Sequence, residues 1–149
     1  MSSAPFTASE AMPHSAAKST RPVTLERLGI VYARMALGAA FLSAVASRFG
    51  LLGNGNNFAE FTRYTAEVNS FMPAFTIPFL AWTATAAELS LGTALILGIW
   101  TRGAALGSAL LLALFGAAMA LSFGIKSPLD YSVFSASAAA LLLHLPRKS

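Results

Sequence analysis

The stretch from residue 75 to residue 100 most constrains what this chain can fold into. It reads FTIPFLAWTATAAELSLGTALILGIW and contains one ionisable side chain, Glu88, near its middle. A helix of about 20 apolar residues, rising about 1.5 Å per residue, crosses the ~30 Å hydrocarbon core of a bilayer. A carboxylate at that depth must be paired, protonated or directed toward a polar cavity, and by default it marks a functional site. The stretch therefore predicts a transmembrane helix with a polar centre.

The residues that share a helix face with Glu88 are small. Ala81, Ala84 and Thr85 precede it by seven, four and three residues, and Gly92 follows it by four. These spacings place all of them on one side of a helix. A face of small residues lets another helix approach closely. Glu88 is therefore expected to point into a helix bundle rather than toward lipid.

The composition of the whole chain agrees with a membrane protein. Of its 149 residues 56% are hydrophobic and 11% are charged, whereas about 25% of the residues of a soluble domain are charged. The chain has no cysteine, which excludes disulfides, CxxC redox chemistry and thiolate metal sites within it. The net charge of +4 comes from basic residues at the ends and in short connections, which fits membrane topology rather than nucleic-acid binding.

Four apolar segments and one amphipathic segment follow a polar tail. We predict an all-α fold: an integral membrane four-helix bundle with a short amphipathic interfacial helix between the first and second spans. Residues 1–24 are predicted to form a disordered cytoplasmic tail, and residues 25–149 the four-helix transmembrane domain. The predicted spans cover about 28–49, 76–100, 103–124 and 128–145, and the interfacial helix covers about 58–72.

Two local patterns predict where helices begin. Asn57 is expected to cap the interfacial helix, with Glu60 three residues later as its capping-box partner. Ser127, Pro128 and Asp130 are expected to begin the fourth span, with the serine as N-cap and the proline in the first turn.

The distribution of basic residues predicts the orientation. With both ends in the cytoplasm, six basic residues lie inside and three outside, as the positive-inside rule favours. The inner set is Lys18, Arg21, Arg27, Arg102, Arg147 and Lys148, and the outer set is Arg48, Arg63 and Lys126. The interfacial helix then lies on the outer face.

Depth in the membrane selects the partner of Glu88. Measured from Trp100 at the inner boundary, Glu88 lies about 18 Å up the second helix; measured from Leu28, Arg34 lies about 9 Å and Arg48 about 30 Å up the first. Side chains lean toward the N-terminus of their helix, so Arg48 and Glu88 lean toward each other. We predict that these two residues pair. Arg34 is expected to snorkel to the inner surface, with a secondary polar site as the alternative.

Three further polar residues are expected near the same outer end. Lys126, Asp130 and Tyr131 precede the fourth span, and together with Arg48 and Glu88 they would form a ligand-binding pocket in the outer half of the bundle. The alternative is a buried ion pair that fixes helix register and binds nothing, with Asp130 serving only as a helix cap. No metal ligand or catalytic residue is predicted.

Several of these residues also match a known family pattern. The run RMALGAAFL from residue 34, followed by Arg48, and the runs ELSLG from residue 88 and LGIWTR from residue 97 resemble the DoxX family. The likeness covers about residues 28–145, although the family's basic residue after the first helix is often lysine. The resemblance implies a four-helix bacterial inner-membrane protein that is associated with respiratory, redox or detoxifying enzymes; one branch of the family is the membrane part of a thiosulfate–quinone oxidoreductase.

Two classes of function follow. The first is a non-catalytic membrane subunit, or a quinone- or lipophile-binding component, of a redox or detoxification complex; as part of an enzyme it would be the membrane subunit of a quinone-linked oxidoreductase. In that case Arg48, Glu88 and Tyr131 would bind a quinone head group, with no covalently bound cofactor. The expected partners are membrane lipids, a redox-enzyme subunit and a second copy of the chain, and not nucleic acid. The alternative is a scaffold or anchor with a purely structural ion pair, or a small-solute transporter, which four helices enclose poorly without oligomerising.

Overall fold

The structure, a computed structural model, describes residues 23–52 and 57–145. Within these ranges all regular secondary structure is helical and no strand occurs, so the all-α prediction is confirmed for them. The helices are α1 (Val23–Arg48), α2 (Phe58–Val68), a 3₁₀ turn (Ala74–Thr76), α3 (Ile77–Leu97), α4 (Thr101–Phe123), α5 (Lys126–Asp130) and α6 (Val133–His144).

Parts of the sequence-based predictions lie outside the described residues. These parts are residues 1–22 of the predicted disordered tail, residues 53–56 of the loop after the first span, and the basic C-terminal end from residue 146. Helix α1 begins at Val23, which is five residues before the predicted start of the first span.

Three helices are long and apolar enough to cross a membrane. They cover Leu25–Arg48, Ala74–Leu97 and Thr101–Phe123 and correspond to the first three predicted spans. Much of their outer surface consists of exposed large apolar side chains, among them Phe79, Leu97 and Leu114. Such a surface is stable in hydrocarbon rather than in water, so the protein is membrane-embedded.

The predicted fourth span is not one continuous helix. Helix α5 ends at Asp130, and α6 begins at Val133 and has 12 residues, or about 18 Å of length. The break occurs because Ser132 adopts left-handed backbone angles, with φ at 54°. The predicted start is also wrong in detail: no side chain caps α5, and Asp130 forms an ion pair with Lys126 instead.

The interrupted segment nevertheless runs back along α4. At its end, His144 Nδ1 lies 3.0 Å from the backbone oxygen of Arg102, the second residue of α4. The other end of the segment follows directly after the C-terminus of α4. Helix α6 is therefore antiparallel to α4 and packs extensively on it. That this segment is a fourth membrane crossing stays a prediction.

Glycines set the closest helix contacts. A Cβ atom built on Gly38 of α1 would lie 3.0 Å from the backbone oxygen of Gly92 in α3, and one built on Gly92 would lie 3.2 Å from the oxygen of Gly38. The two helices thus touch backbone to backbone, as small residues permit in membrane bundles. Gly116 accommodates the ring of Phe134 between α4 and α6 in a similar way.

Helix α2 lies outside the candidate spans and packs against α3 and α4. It begins as predicted at Asn57, whose Oδ1 accepts a hydrogen bond of 2.9 Å from the backbone N–H of Glu60. At its other end the hydroxyl of Ser122, near the end of α4, donates to the carbonyl oxygen of Val68. These contacts hold the amphipathic helix across one end of the bundle.

Candidate functional site

A buried ion pair joins α1 to α3. Arg48 Nη1 lies 2.7 Å from Glu88 Oε2, and Arg48 Nη2 donates a hydrogen bond of 3.0 Å to Glu88 Oε1. Nη1 also donates to the hydroxyl of Thr85 at 2.9 Å. Arg48 is 9% exposed and Glu88 is 3% exposed. The prediction that Glu88 pairs with Arg48 rather than with Arg34 is therefore confirmed.

The helix geometry explains why this pair forms. Arg48 is the last residue of α1, and Glu88 lies in the middle of α3. The backbone contact of Gly38 with Gly92 holds the two helices close below the pair. Each side chain leans toward the N-terminus of its helix, and the two helices run in opposite directions. The charged groups therefore meet at a depth between that of the Arg48 backbone and that of the Glu88 backbone.

Aromatic rings surround the guanidinium on the side of α2. The ring of Phe61 lies flat against Arg48, with Cζ 3.5 Å from the ring centroid. Phe58 packs on Trp82 of α3 at a centroid distance of 4.3 Å and on Phe49 at 6.2 Å. A cation against a ring face gains about 0.5–2 kcal/mol, most where water is excluded. The sequence analysis predicted an amphipathic helix over about 58–72 but did not connect its aromatic residues with Arg48.

One oxygen of the pair keeps an unused acceptor. Glu88 Oε2 is fully buried and accepts no hydrogen bond within the described part of the chain, although Arg48 Nη1 is 2.7 Å away. The hydrogen bond from Nη1 goes to the Thr85 hydroxyl instead. A carboxylate oxygen can accept two hydrogen bonds, so Oε2 keeps acceptor capacity beside its ion-pair contact with Arg48. The position therefore suits one additional N–H or O–H donor.

Arg34 of α1 lies beside the C-terminal end of α3. Its guanidinium packs on Gly98, the left-handed residue that ends α3: a Cβ atom built there would lie 3.0 Å from Nη1 and 3.2 Å from Nη2. Its Nε is buried and has no hydrogen-bond partner among residues 23–52 and 57–145. A cation beside the C-terminus of a helix is stabilised by the helix dipole. Arg34 is thus separate from the Arg48–Glu88 pair.

The three outer residues are not joined to the pair by hydrogen bonds or ion pairs in the described ranges. Lys126 Nζ lies 2.6 Å from Asp130 Oδ2, and both side chains are exposed. Tyr131 is 73% exposed and lies close enough to Tyr64 of α2 to affect its ionisation. Partial burial raises the pKa of Tyr64, and Tyr131 and Glu67 raise it further. The Tyr64 hydroxyl therefore stays neutral near pH 7. Ligand binding by Glu88, Arg48, Tyr131, Lys126 and Asp130 stays a prediction.

Comparison with known proteins corrects the family. A family model described as methylamine utilisation protein MauE matches residues 26–132, which is more than two thirds of the chain. This match overturns the resemblance to the DoxX family, because that resemblance used short runs of glycine, arginine and glutamate that closely packed membrane helices of different families share. No curated protein and no solved structure matches the sequence. The chain belongs to the MauE family of methylamine utilisation proteins.

Proposed function

We propose that this chain is a membrane component of a redox system for methylamine utilisation, and that its Arg48–Glu88 pair holds the polar head of a lipophilic molecule such as a quinone. The chain itself is non-catalytic in this proposal, and a partner subunit carries the electrons. It would lie in a bacterial inner membrane with both ends in the cytoplasm. Its family supports the first part, since proteins of the MauE family are described as methylamine utilisation proteins.

One observation carries the proposal for the site. Glu88 Oε2 is buried in a membrane-embedded helix, is held by Arg48 and lacks a hydrogen-bond donor of its own within the described residues. An intramembrane carboxylate is expensive to keep and by default marks a functional site. A hydroxyl or a hydroquinone O–H would supply the missing donor, and the Arg48 guanidinium can donate to a quinone carbonyl. Tyr131, Lys126 and Asp130 would act nearer the outer surface, as a polar entrance.

Tryptophan fluorescence provides the direct test. The chain has two tryptophans; Trp82 packs on Phe58 beside the site, and Trp100 lies about 27 Å away along α3 and its turn. The Trp100→Phe variant leaves Trp82 as the only tryptophan, and a bound quinone quenches its emission. We expect saturable quenching by decylubiquinone in the purified full-length protein, and quinone in the lipid extract of that preparation.

Two variants assign the binding to the ion pair. A hydrogen bond to a charged group contributes about 1.5–3 kcal/mol, so Glu88→Gln should weaken binding of the reduced form, decylubiquinol, whose O–H donates to the carboxylate, by about ten- to a hundredfold in competition with decylubiquinone. The double variant Arg48→Met/Glu88→Leu removes both charges together, which membrane and soluble cores tolerate better than removing one. It should fold and bind no quinone above background. Absence of quinone from the extract together with unsaturable quenching would contradict the proposal.

A scaffold function is the second candidate, and the packing favours it. Arg48 already contacts Glu88, Thr85 and Phe61, so the pair by itself fixes the positions of α1, α2 and α3. In this case the protein would bind a redox-enzyme subunit, or a second copy of itself, without a small ligand. A pull-down in mild detergent would recover the same partner with wild-type protein and with Arg48→Met/Glu88→Leu, and the eluate would contain no quinone.

A further inference from the structure

A groove of about 490 Å³ lies between α2, α3 and α4. It is within the range of small-molecule sites, about 300–1,000 Å³. None of its lining residues carries a charge, and large apolar and alanine side chains form most of its wall. Its lining residues include Phe61, Tyr64, Ala84, Ala87 and Ala117.

Three polar side chains of the wall donate their hydrogen bonds to nearby backbone oxygens. The hydroxyls of Thr65 and Thr83 donate to the backbone oxygens of Phe61 and Phe79, four residues earlier in their own helices. Asn69 Nδ2 donates to the backbone oxygen of Thr65. Because these donors are already satisfied, the groove presents an apolar surface to whatever occupies it.

The surroundings of the groove are lipid rather than water. Two of its three walls belong to the candidate membrane spans of α3 and α4. Leu114 and Leu121 of α4 line it and are also among the exposed apolar residues of the bundle surface. The groove is therefore exposed on its α4 side, where the bundle would meet the hydrocarbon region.

One side chain, Phe61, lies between the groove and the candidate site, since Arg48, Thr85 and Glu88 do not line the groove. Phe61 lines the groove and also lies on the Arg48 guanidinium, 3.5 Å from Cζ. Ala84 and Ala87 line it from α3, one residue before Thr85 and one before Glu88 respectively. A molecule with its polar end at the ion pair and its apolar chain in the groove would therefore pass beside the Phe61 ring.

We infer that the groove between α2, α3 and α4 binds the hydrocarbon chain of a membrane-dissolved amphiphile, which enters sideways from the bilayer. The inference deepens the proposed function and rests on it for the identity of the head group. Phe61 is then a positioning residue, because it separates the chain of the ligand from the guanidinium that receives its head. Tyr64, neutral near pH 7, lies at the outer end of the groove and adds no charge to it.

The test measures whether a fatty acid, which has a hydrocarbon chain but no quinone, binds in the groove. It compares the wild type with variants in which a tryptophan side chain fills the groove. The full-length protein, in detergent, is labelled with a diazirine derivative of palmitic acid, with unlabelled palmitic acid as competitor, and the labelled peptides are mapped. Ala87→Trp places an indole in the groove. Ala86→Trp is the matched control, because Ala86 is exposed and does not line the groove. Ala117→Trp is a second groove variant at an exposed position that should fold without strain.

We expect saturable labelling of the α2 and α4 peptides that line the groove. Both groove variants should lose it by about tenfold or more, since an indole displaces several methylenes, each worth about 0.8 kcal/mol of burial. Ala86→Trp should label like the wild type. Equal labelling in the groove variants and the control would overturn the inference.

Phenylalanine at the same two positions separates this inference from the proposed function. If palmitate labels the groove but decylubiquinone fails to quench Trp82, the groove inference stands and the quinone proposal fails. If decylubiquinone quenches Trp82 equally in Ala87→Phe and Ala86→Phe proteins that also carry Trp100→Phe, so that Trp82 stays the only tryptophan, the quinone proposal stands and the groove inference fails.

Discussion

Arg48 Nη1 lies 2.7 Å from Glu88 Oε2, and this contact joins the last residue of α1 to the middle of α3. The pair is flanked on one side by Thr85 and on the other by the ring of Phe61. Three helices therefore meet at one guanidinium. The largest loss of stability at such a pair is expected when one charge is removed and the other stays buried without a partner.

Removing one partner should cost more than removing both. In Arg48→Met the Glu88 carboxylate stays buried and unpaired, so we expect a loss of about 3–5 kcal/mol in the free energy of unfolding. The double variant Arg48→Met/Glu88→Leu should lose less, because neither charge is left in an apolar environment. Denaturation in mixed micelles, followed by far-UV circular dichroism, measures all three proteins. A double variant less stable than Arg48→Met would contradict this explanation.

The glycine contact between α1 and α3 should be intolerant of a methyl group. A Cβ on Gly38 would lie 2.7 Å from Ile96 Cγ1 and 3.0 Å from the backbone oxygen of Gly92. Gly38→Ala should therefore push the helices apart and lower the free energy of unfolding by about 1–3 kcal/mol. Gly29→Ala, also in α1, is the control because nothing lies within 4 Å of its Cβ position; it should be neutral or stabilise by about 0.5–1 kcal/mol. Equal melting temperatures for the two variants would show that the helices do not touch here.

Gly98 should be required for two separate reasons. Its φ of 74° is left-handed, which costs a residue with a Cβ on the order of 1–3 kcal/mol. Its Cβ would also press on the Arg34 guanidinium, at 3.0 Å from Nη1. Gly98→Ala should thus destabilise the protein, and Arg34→Ala should relieve part of that cost but not the backbone part. A double-mutant cycle measures the coupling; a coupling energy near zero would mean that the two residues act independently.

Much of this fold was accessible from the sequence because long apolar runs and small-residue faces have few interpretations. The pairing of Arg48 with Glu88 followed from depth and side-chain direction, two quantities that depend only on position along a helix. The break at Ser132 did not, because Ser127, Pro128 and Asp130 resemble the start of one continuous helix and no glycine stands at position 132. The Phe61 contact and the groove could not be predicted either, since they depend on how α2 packs across α3 and α4.

The interrupted α5–α6 segment should cross the membrane despite its break. His144 lies beside Arg102 at the beginning of α4, whereas Lys126 follows the end of α4, and α4 is about 34 Å long. The natural chain lacks cysteine, so single cysteines report sidedness without background. A membrane-impermeant maleimide added to intact spheroplasts should label Lys126→Cys and Leu52→Cys, which are exposed near the outer ends of α5 and α1. It should label Leu145→Cys and Arg102→Cys only after the membrane is permeabilised. Labelling of Lys126→Cys and Leu145→Cys from the same side would instead mean that the segment folds back within one leaflet, which leaves three crossings and places the two ends of the chain on opposite sides.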